Sequence, residues 1–373
     1  MTSPSLLPEG LRDRLPPEAE ALGRVRGAVL TTTELNGYAR VEPPLAEFET
    51  TLLGRLKSSR GTDLLRVIDP ISQRTLALRP DITAQVGRIA ATRLAHRARP
   101  LRLCYAGQVL KVRGTQLRPE REMCQAGAEI VGTDAVPAVI EAIRVALDAL
   151  TAAGATGLSV DITLPDLVAT LAAGPMPVDD VDAVIHELDG KDAGALAALG
   201  ATAYLPLIEA AGPVDAALER LSALDAQHLL ASRLDGVRAI ADAIGTRATV
   251  TLDPTERHGF EYQSWIGFSL FADGVRGEVG RGGAYSILHL GKNGGDGHDE
   301  PAVGFSIYLD PIVDAGVAPT GRDRVFLPLG SEGQVAGTLH AQGHATVAAL
   351  SDADDAAALG CTHVWAGGAL QPL

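Results

Sequence analysis

No stretch of this 373-residue chain supplies the ~18 consecutive apolar residues that a membrane span needs. Pro4, Pro8, Glu9 and Asp13 also interrupt the N-terminus where a secretory signal requires an unbroken apolar run. The sequence therefore predicts a cytoplasmic protein with no membrane partner. Only three cysteines are present, Cys104, Cys124 and Cys361, scattered and without C-x-x-C spacing, which argues against a disulfide framework or a thiolate metal site. Clustered positive charge is also missing: the formal net charge is −14, so a broad nucleic-acid surface is not expected. Gly291-Lys292 fails as a phosphate loop, because Ser286 stands where the first glycine belongs and Asn293 follows the lysine. His340 and His344 lie four apart, but Gly343 weakens a helix there and no acidic ligand is near in sequence. Neither a G-x-S-x-G elbow nor a Cys-His pair stands out, and there is no repeat, coiled coil or low-complexity tail. No metal and no cofactor are expected.

At 46% hydrophobic and 21% charged, the composition is that of a globular chain with room for two or three domains. Apolar residues at helical spacing predict a helix over 17–35, with Asn36-Gly37 as its left-handed stop so that it ends at Tyr38. A strand at 38–41 must finish before Pro43-Pro44. Further strands are expected at 76–78 and 158–164, and helices at 81–96 and after Asp134, which is placed to cap a stripe of Val139, Ile143, Ala146, Leu147 and Leu150. Residues 165–245 read as short helices without a strand. Strands resume at 248–252, 262–271 and 278–279, then a glycine-rich loop at 290–297 and a helix-like run at 303–313. The fold class is α+β: a mostly antiparallel sheet flanked by helices, spanning 1–164 and 246–318, with a helical insertion at 165–245 and a small α/β lobe at 319–373.

The stretch from Leu101 to Gly132 carries the chemistry. It reads as two strands around a loop containing Lys111, Arg113, Arg118 and Arg121 together with Glu120 and Glu122, suited to an anion or to an ion-pair network. In the second strand Cys124, Ala126, Ala128 and Ile130 alternate with Gln125, Gly127, Glu129 and Val131, so one face is small and apolar while the other presents an amide and a carboxylate. Asp81 and Thr83 stand at a helix start, where capping is the simplest role. Phe260, Tyr262, Ser264, Ile266 and Phe268 share one face of a strand, and residues 280–285 with their three glycines suit a tight turn.

Together these segments resemble the catalytic core of class II histidyl-tRNA synthetases over most of residues 8–315. GYARVEPP at 37–44 is similar to the family's first motif, LRPDIT at 78–83 to LRPEGT, and MCQAGAEIVG at 123–132 to FHQFGVEVFG. GGAYSIL at 282–288 is similar to GGRYDGL, and PAVGFSIYLDPI at 301–312 to PAVGFAMGLERL. The resemblance implies a homodimer and a histidine pocket in which Asp81, Thr83, Gln125 and Glu129 hold the amino group and the imidazole, with Tyr262 and Tyr285 as the aromatic wall.

Departures from the pattern decide the expected activity. Lys111 replaces the arginine of an F-R-x-E element that grips the α-phosphate of ATP, and the forked guanidinium geometry goes with it. His258 replaces the arginine that opens R-G-L-D-Y-Y, and Pro311 replaces the third-motif arginine. Adenylation depends on fixed charges opposite the phosphoryl oxygens, so ATP chemistry is expected to be disabled. Lys111 and His258 are left to meet a bound carboxylate. The tail carries Arg322 and Arg324 against five acidic residues, a poor anticodon-binding surface. A synthetase-like core so altered resembles the regulatory subunit of ATP phosphoribosyltransferase. That likeness implies a non-catalytic subunit that joins short-form catalytic subunits in a hetero-oligomer, supports the first step of L-histidine biosynthesis and confers feedback inhibition by L-histidine, without nucleic acid. An active histidyl-tRNA synthetase and a stand-alone histidine-binding sensor are the alternatives.

Overall fold

The computed structural model describes residues 7–53, 64–114, 119–225, 227–257, 263–289, 297–331 and 333–373. It contains two compact units, Met1–Pro319 and Thr320–Leu373. The first opens with α1 (Glu18–Leu35), which buries Val25, Val29 and Leu30. The helix ends at Leu35, three residues before Tyr38, and Gly37 at φ +85° supplies the left-handed stop that residues with a Cβ adopt at a cost. Next come β1 (Ala39–Arg40), β2 (Ala46–Phe48), α2 (Glu49–Leu53), β3 (Arg66–Ile68), β4 (Thr75–Leu78) and α3 (Thr83–Thr92). Strands β2, β4 and β3 form a separate antiparallel sheet, of which the sequence revealed only the middle strand.

The hairpin predicted between Leu101 and Gly132 is β5 (Leu101–Leu110) and β6 (Glu122–Val131), paired from Leu101↔Val131 to Leu110↔Glu122. Helix α4 (Val136–Ala152) buries the expected stripe. Its start corrects the sequence reading: Ala135, not Asp134, occupies the cap position, no side chain caps the helix, and the Asp134 carbonyl accepts the Trp265 indole N–H at 3.2 Å. After β7 (Ser159–Thr163) the chain forms α5 (Leu167–Ala172), α6 (Val181–Asp189), α7 (Ala193–Ala198) and α8 (Leu205–Glu209). A two-residue strand, β8 (Gly212–Pro213), corrects the strand-free expectation, pairing with β9 (Thr249–Leu252) after α9 (Val214–Leu224) and α10 (Ala231–Ile244). Leu167, Leu188, Leu207, Leu221 and Val237 of these helices join one core with α1 and α4.

The last elements of this unit are β10 (Gln263–Phe271), β11 (Gly280–His289), β12 (His298–Tyr308) and α11 (Leu309–Asp314). Two expectations change here. Glu278 and Val279 precede a ten-residue strand, so the run 280–285 is strand and not a tight turn. Residues 303–308 are likewise strand, with the helix starting only at Leu309. The physical reason is position: β12 lies between β6 and β11 and is buried on both faces, so its apolar run carries no period that separates strand from helix. The nine-stranded sheet has the order β1-β5-β6-β12-β11-β10-β7-β9-β8, antiparallel except at β1/β5 and β7/β9.

The second unit holds β13 (Arg324–Leu327), α12 (Gly333–Ala341), β14 (Ala345–Ala348), β15 (His363–Ala366) and an unforeseen β16 (Ala369–Pro372), in the order β14-β13-β15-β16. Val325, Leu327 and Leu339 form its small core. His340 bonds the Thr346 hydroxyl and His344 faces Asp323 at 3.8 Å. Among the described residues no cluster of three acidic, histidine or cysteine side chains is arranged to hold a metal.

Candidate functional site

Alternation along β6 divides its side chains as the sequence requires. Cys124, Ala126, Ala128 and Ile130 enter the helix-covered core, while Gln125 and Glu129 are buried on the opposite side, both only 1% exposed, and of the two Glu129 lines a polar cavity there. Strand pairing makes room for them. Glu129 lies opposite Gly304 of β12, and a Cβ there would come within 1.7 Å of the carboxylate. Gly127 lies between Tyr105 of β5 and Ser306 of β12, and a Cβ on it would meet the Tyr105 hydroxyl at 2.6 Å. These strand glycines are therefore the space that polar side chains of neighbouring strands fill.

One hydrogen-bonded network occupies that space. Tyr105 donates to Glu129 Oε1 at 3.0 Å and Tyr285 to Oε2 at 2.9 Å. Gln125 Nε2 donates to Asp81 Oδ2 and to Ser306 Oγ, each at 2.6 Å, and Gln125 Oε1 accepts the Ile82 N–H at 3.0 Å. The Tyr105 oxygen also lies 2.9 Å from Ser306 Oγ and 3.2 Å from Thr83 Oγ1. The other Asp81 oxygen accepts the Thr83 N–H at 2.7 Å at the start of α3, where Ile82 and not Asp81 occupies the cap position. Burial pushes the Glu129 carboxyl up to about 8 against the two tyrosine hydroxyls that favour its charge, and burial pushes the Tyr105 hydroxyl well above its ordinary value. Glu129 is thus a buried acid poised near neutrality, with donors on both oxygens.

The cavity beside it is narrow, with room for about one ordered water. Thr83, Glu129 and Tyr285 line it, as do Gln263, Arg281 and Ser306, which sequence reasoning missed. Tyr105 was missed as well, although a tyrosine spaced by two from Leu103 and Leu101 in a strand is the signal of an apolar face with one polar tip. Gln263 lies three residues before Ile266, so alternation sets it on the face opposite Ile266 and Phe268, which enter the core, and the two extra residues of β10 between Gln263 and Gly267 keep that phase. Its Oε1 is buried without a hydrogen-bond partner among the described residues, and its Nε2 donates weakly to the Gly282 carbonyl at 3.3 Å. A buried, unmatched acceptor is costly, and a ligand N–H would satisfy it. Arg281 reaches the cavity with its guanidinium already bidentate on Glu278.

The remaining expected site residues lie elsewhere. Lys111 is exposed four residues beyond Gly107, the cross-strand partner of Gln125, or roughly 13 Å along the strand. His258 and Tyr262 lie outside the described residues, as does Arg118 of the basic loop. Arg121 of that loop donates to the carbonyls of Lys111 and Glu9, each at 3.2 Å, which ties the loop to the N-terminal segment. Arg79, 6% exposed, donates to the carbonyls of Gln108 and Pro43 at 2.7 and 2.8 Å, and Gly107 lacks the Cβ that would meet its guanidinium. It fastens the site to the segment before β2.

Comparison with known proteins gives the geometry a family context. A family profile described as histidyl-tRNA synthetase matches residues 10–312. An ATP phosphoribosyltransferase regulatory subunit of Rhodospirillum centenum is 42% identical over 382 residues, covering 100% of this chain and 97% of the relative. Another from Gluconobacter oxydans is 38% identical, covering 100% and 98%. Among solved structures, an ATP phosphoribosyltransferase regulatory subunit/histidyl-tRNA synthetase from Bacillus halodurans superposes with a TM-score of 0.77 at 23% identity, covering 96% of this chain and 97% of that one. Histidyl-tRNA synthetase from Nostoc sp. gives 0.79 at 16% identity, covering 97% and 91%. These two likenesses establish the α+β synthetase-like fold.

Proposed function

The chain belongs to the family of ATP phosphoribosyltransferase regulatory subunits, within the histidyl-tRNA synthetase superfamily, and from that premise we propose that it regulates a separate catalytic ATP phosphoribosyltransferase without catalysing a reaction itself. In this reading it acts in the cytoplasm as a homodimer within a hetero-oligomer, supports the first step of histidine biosynthesis, and reports L-histidine to the catalytic subunit. No helix among the described residues is long and apolar enough to cross a membrane.

The buried Glu129 with its two tyrosine donors carries the proposal. A carboxyl at this depth is retained at a cost, and an imidazole N–H is a partner that repays it. Asp81 and Thr83 then take the α-amino group, with Asp81 held in place by the Gln125 amide. The ring is offered a second acceptor at Gln263. Adenylation lacks its machinery: α11 begins Leu309-Asp310-Pro311, and Asp310 is committed to Arg14 and to the Cys124 N–H at 2.7 Å. Inhibition requires L-histidine to bind one state of the complex more tightly, by a coupling of about 1–3 kcal/mol.

The test is reconstitution. The purified chain mixed with a short-form catalytic subunit should form a complex, raise its activity and make it sensitive to L-histidine. Failure to associate, or no change in activity and sensitivity, rejects the proposal.

A further inference from the structure

Ser306 of β12 is 6% exposed, lies between Gly127 of β6 and Arg281 of β11, and stands where the synthetase motif PAVGFAMGLERL has alanine. Its hydroxyl therefore adds one hydrogen to the network that joins Asp81 to Glu129. The arrangement of hydrogens around it follows from a donor that cannot reverse. The Ile82 backbone N–H only donates, so the Gln125 atom it meets at 3.0 Å is the carbonyl Oε1, and the amide nitrogen is turned the other way. Gln125 Nε2 has two hydrogens, and Asp81 Oδ2 and Ser306 Oγ, each at 2.6 Å, take one apiece.

Ser306 is thus an acceptor toward Gln125 and keeps its own hydrogen for the Tyr105 oxygen at 2.9 Å, its other partner among the described residues. With Tyr105 donating to Ser306 instead, the Ser306 hydrogen would face an amide nitrogen that accepts nothing. The Tyr105 hydrogen goes on to Glu129 Oε1 at 3.0 Å, a nearer and stronger acceptor than Thr83 Oγ1 at 3.2 Å. The donors therefore run one way, from Ile82 through Gln125, Ser306 and Tyr105 to Oε1, and each bond polarises the next. Oε2 lies on the cavity side. Tyr285, which donates to it at 2.9 Å, and Gly304, whose Cβ would collide with it, both line the cavity.

We infer that Ser306 is a positioning residue for the ligand pocket: its hydroxyl holds the Tyr105 hydrogen on Glu129 Oε1, and so leaves Oε2 as the oxygen that exchanges a proton with a ring nitrogen of the ligand. The relay also joins the two ends of the pocket. The Gln125 amide that steadies Asp81 at the amino-group end begins the chain that finishes on Glu129 at the ring end. This rests on the reading of the pocket as an L-histidine site.

The experiment uses the full chain with Ser306→Ala, Tyr105→Phe, the double variant and the conservative Ser306→Thr. In ligand-free protein, NMR of the side-chain carboxyl carbon follows the titration of Glu129, which lies at about 8 in the parent. Loss of the Ser306 hydrogen weakens Tyr105 as a donor and should move that titration upward by roughly half a unit, while Ser306→Thr stays at the parent value. In the Tyr105→Phe background Ser306→Ala should move it no further, because Ser306 reaches Glu129 through Tyr105. No shift in Ser306→Ala, or an equal shift in both backgrounds, overturns the relay, since a merely structural or desolvating hydroxyl gives one of those results. The Kd for L-histidine, measured by calorimetry with Tm alongside, should rise roughly 3- to 10-fold in each single variant, and the double variant should fall short of the product of the two. Penalties that multiply overturn the coupling of the two ends. If the parent chain does not bind L-histidine, the histidine reading fails by itself, and the Glu129 titrations still judge the relay.

Discussion

Glu129 concentrates the chemistry of this protein in one side chain. Its carboxyl titrates near 8 because burial outweighs the stabilisation offered by Tyr105 and Tyr285. The folded-state value lies above the unfolded value of 4.5, so native protein binds the extra proton between the two. The stability this group contributes is complete below about 4.5 and is lost as pH rises through about 8. In Glu129→Gln that loss should vanish, and denaturant titrations of the two proteins between pH 5 and 9 would read it. On the proposed reading of the pocket as an L-histidine site, ligand binding gives a second pH signature. Bound histidine and Glu129 share one proton, and between the imidazole value of about 6.5 and the Glu129 value of about 8 the free partners also carry one between them. Affinity should be flat across that window and fall on both sides, approaching tenfold per pH unit; calorimetry from pH 5 to 9 showing a monotonic trend would contradict it. Glu129→Gln should keep the shape of the site but lose binding by at least about 1.5 kcal/mol, the low end for a hydrogen bond to a charged group. The residue-scale site was half legible. Gln125 and Glu129 announced themselves by alternation, whereas Gln263 was passed over because only the pairing with Tyr285 across the sheet shows that its face meets the cavity.

Strands and helices show where pattern suffices and where it does not. The β5/β6 hairpin and α4 were legible because each has one apolar and one polar side, so period identifies them. Strands β11 and β12 were misread, the first as a turn because of its glycines and the second as part of a helix because of its continuous apolar run. Both errors have one cause: central strands buried on both faces need no alternation, and their glycines answer to neighbours across the sheet. Gly304 gives the sharpest check. In Gly304→Ala the new methyl meets the Glu129 carboxylate at 1.7 Å and the Ala128 carbonyl at 2.6 Å, so the variant should lose about 1–3 kcal/mol of stability together with ligand binding. Gly27→Ala is the contrast, since it sits in α1 with nothing within 4 Å and should gain up to about 1 kcal/mol. Equal denaturation midpoints for the two variants would remove the argument.

At the scale of the molecule, the 1–319 unit holds the whole described network, and among the described residues of the 320–373 unit Val325, Leu327 and Leu339 form a small buried apolar cluster. A chain ending at Pro319 should therefore retain L-histidine binding within about twofold, a difference of roughly 0.4 kcal/mol; a larger loss would place part of the site in the removed lobe. The intact chain should show no histidine-dependent ATP–pyrophosphate exchange, a measurement in which any turnover would restore the synthetase alternative. The sequence by itself determined the α+β class, the hairpin and the polar face of β6, because periodicity and side-chain chemistry are local properties, while the replacement of phosphate-binding arginines at 111, 258 and 311 is what its family resemblance implied. Only the tertiary structure decided which polar groups share a cavity. Tyr105, Glu129, Gln263, Tyr285 and Ser306 come from five strands spread over two hundred residues, and sheet register alone brings them within hydrogen-bonding reach or onto the same cavity wall. The glycines that make room for them acquire their meaning from that register as well.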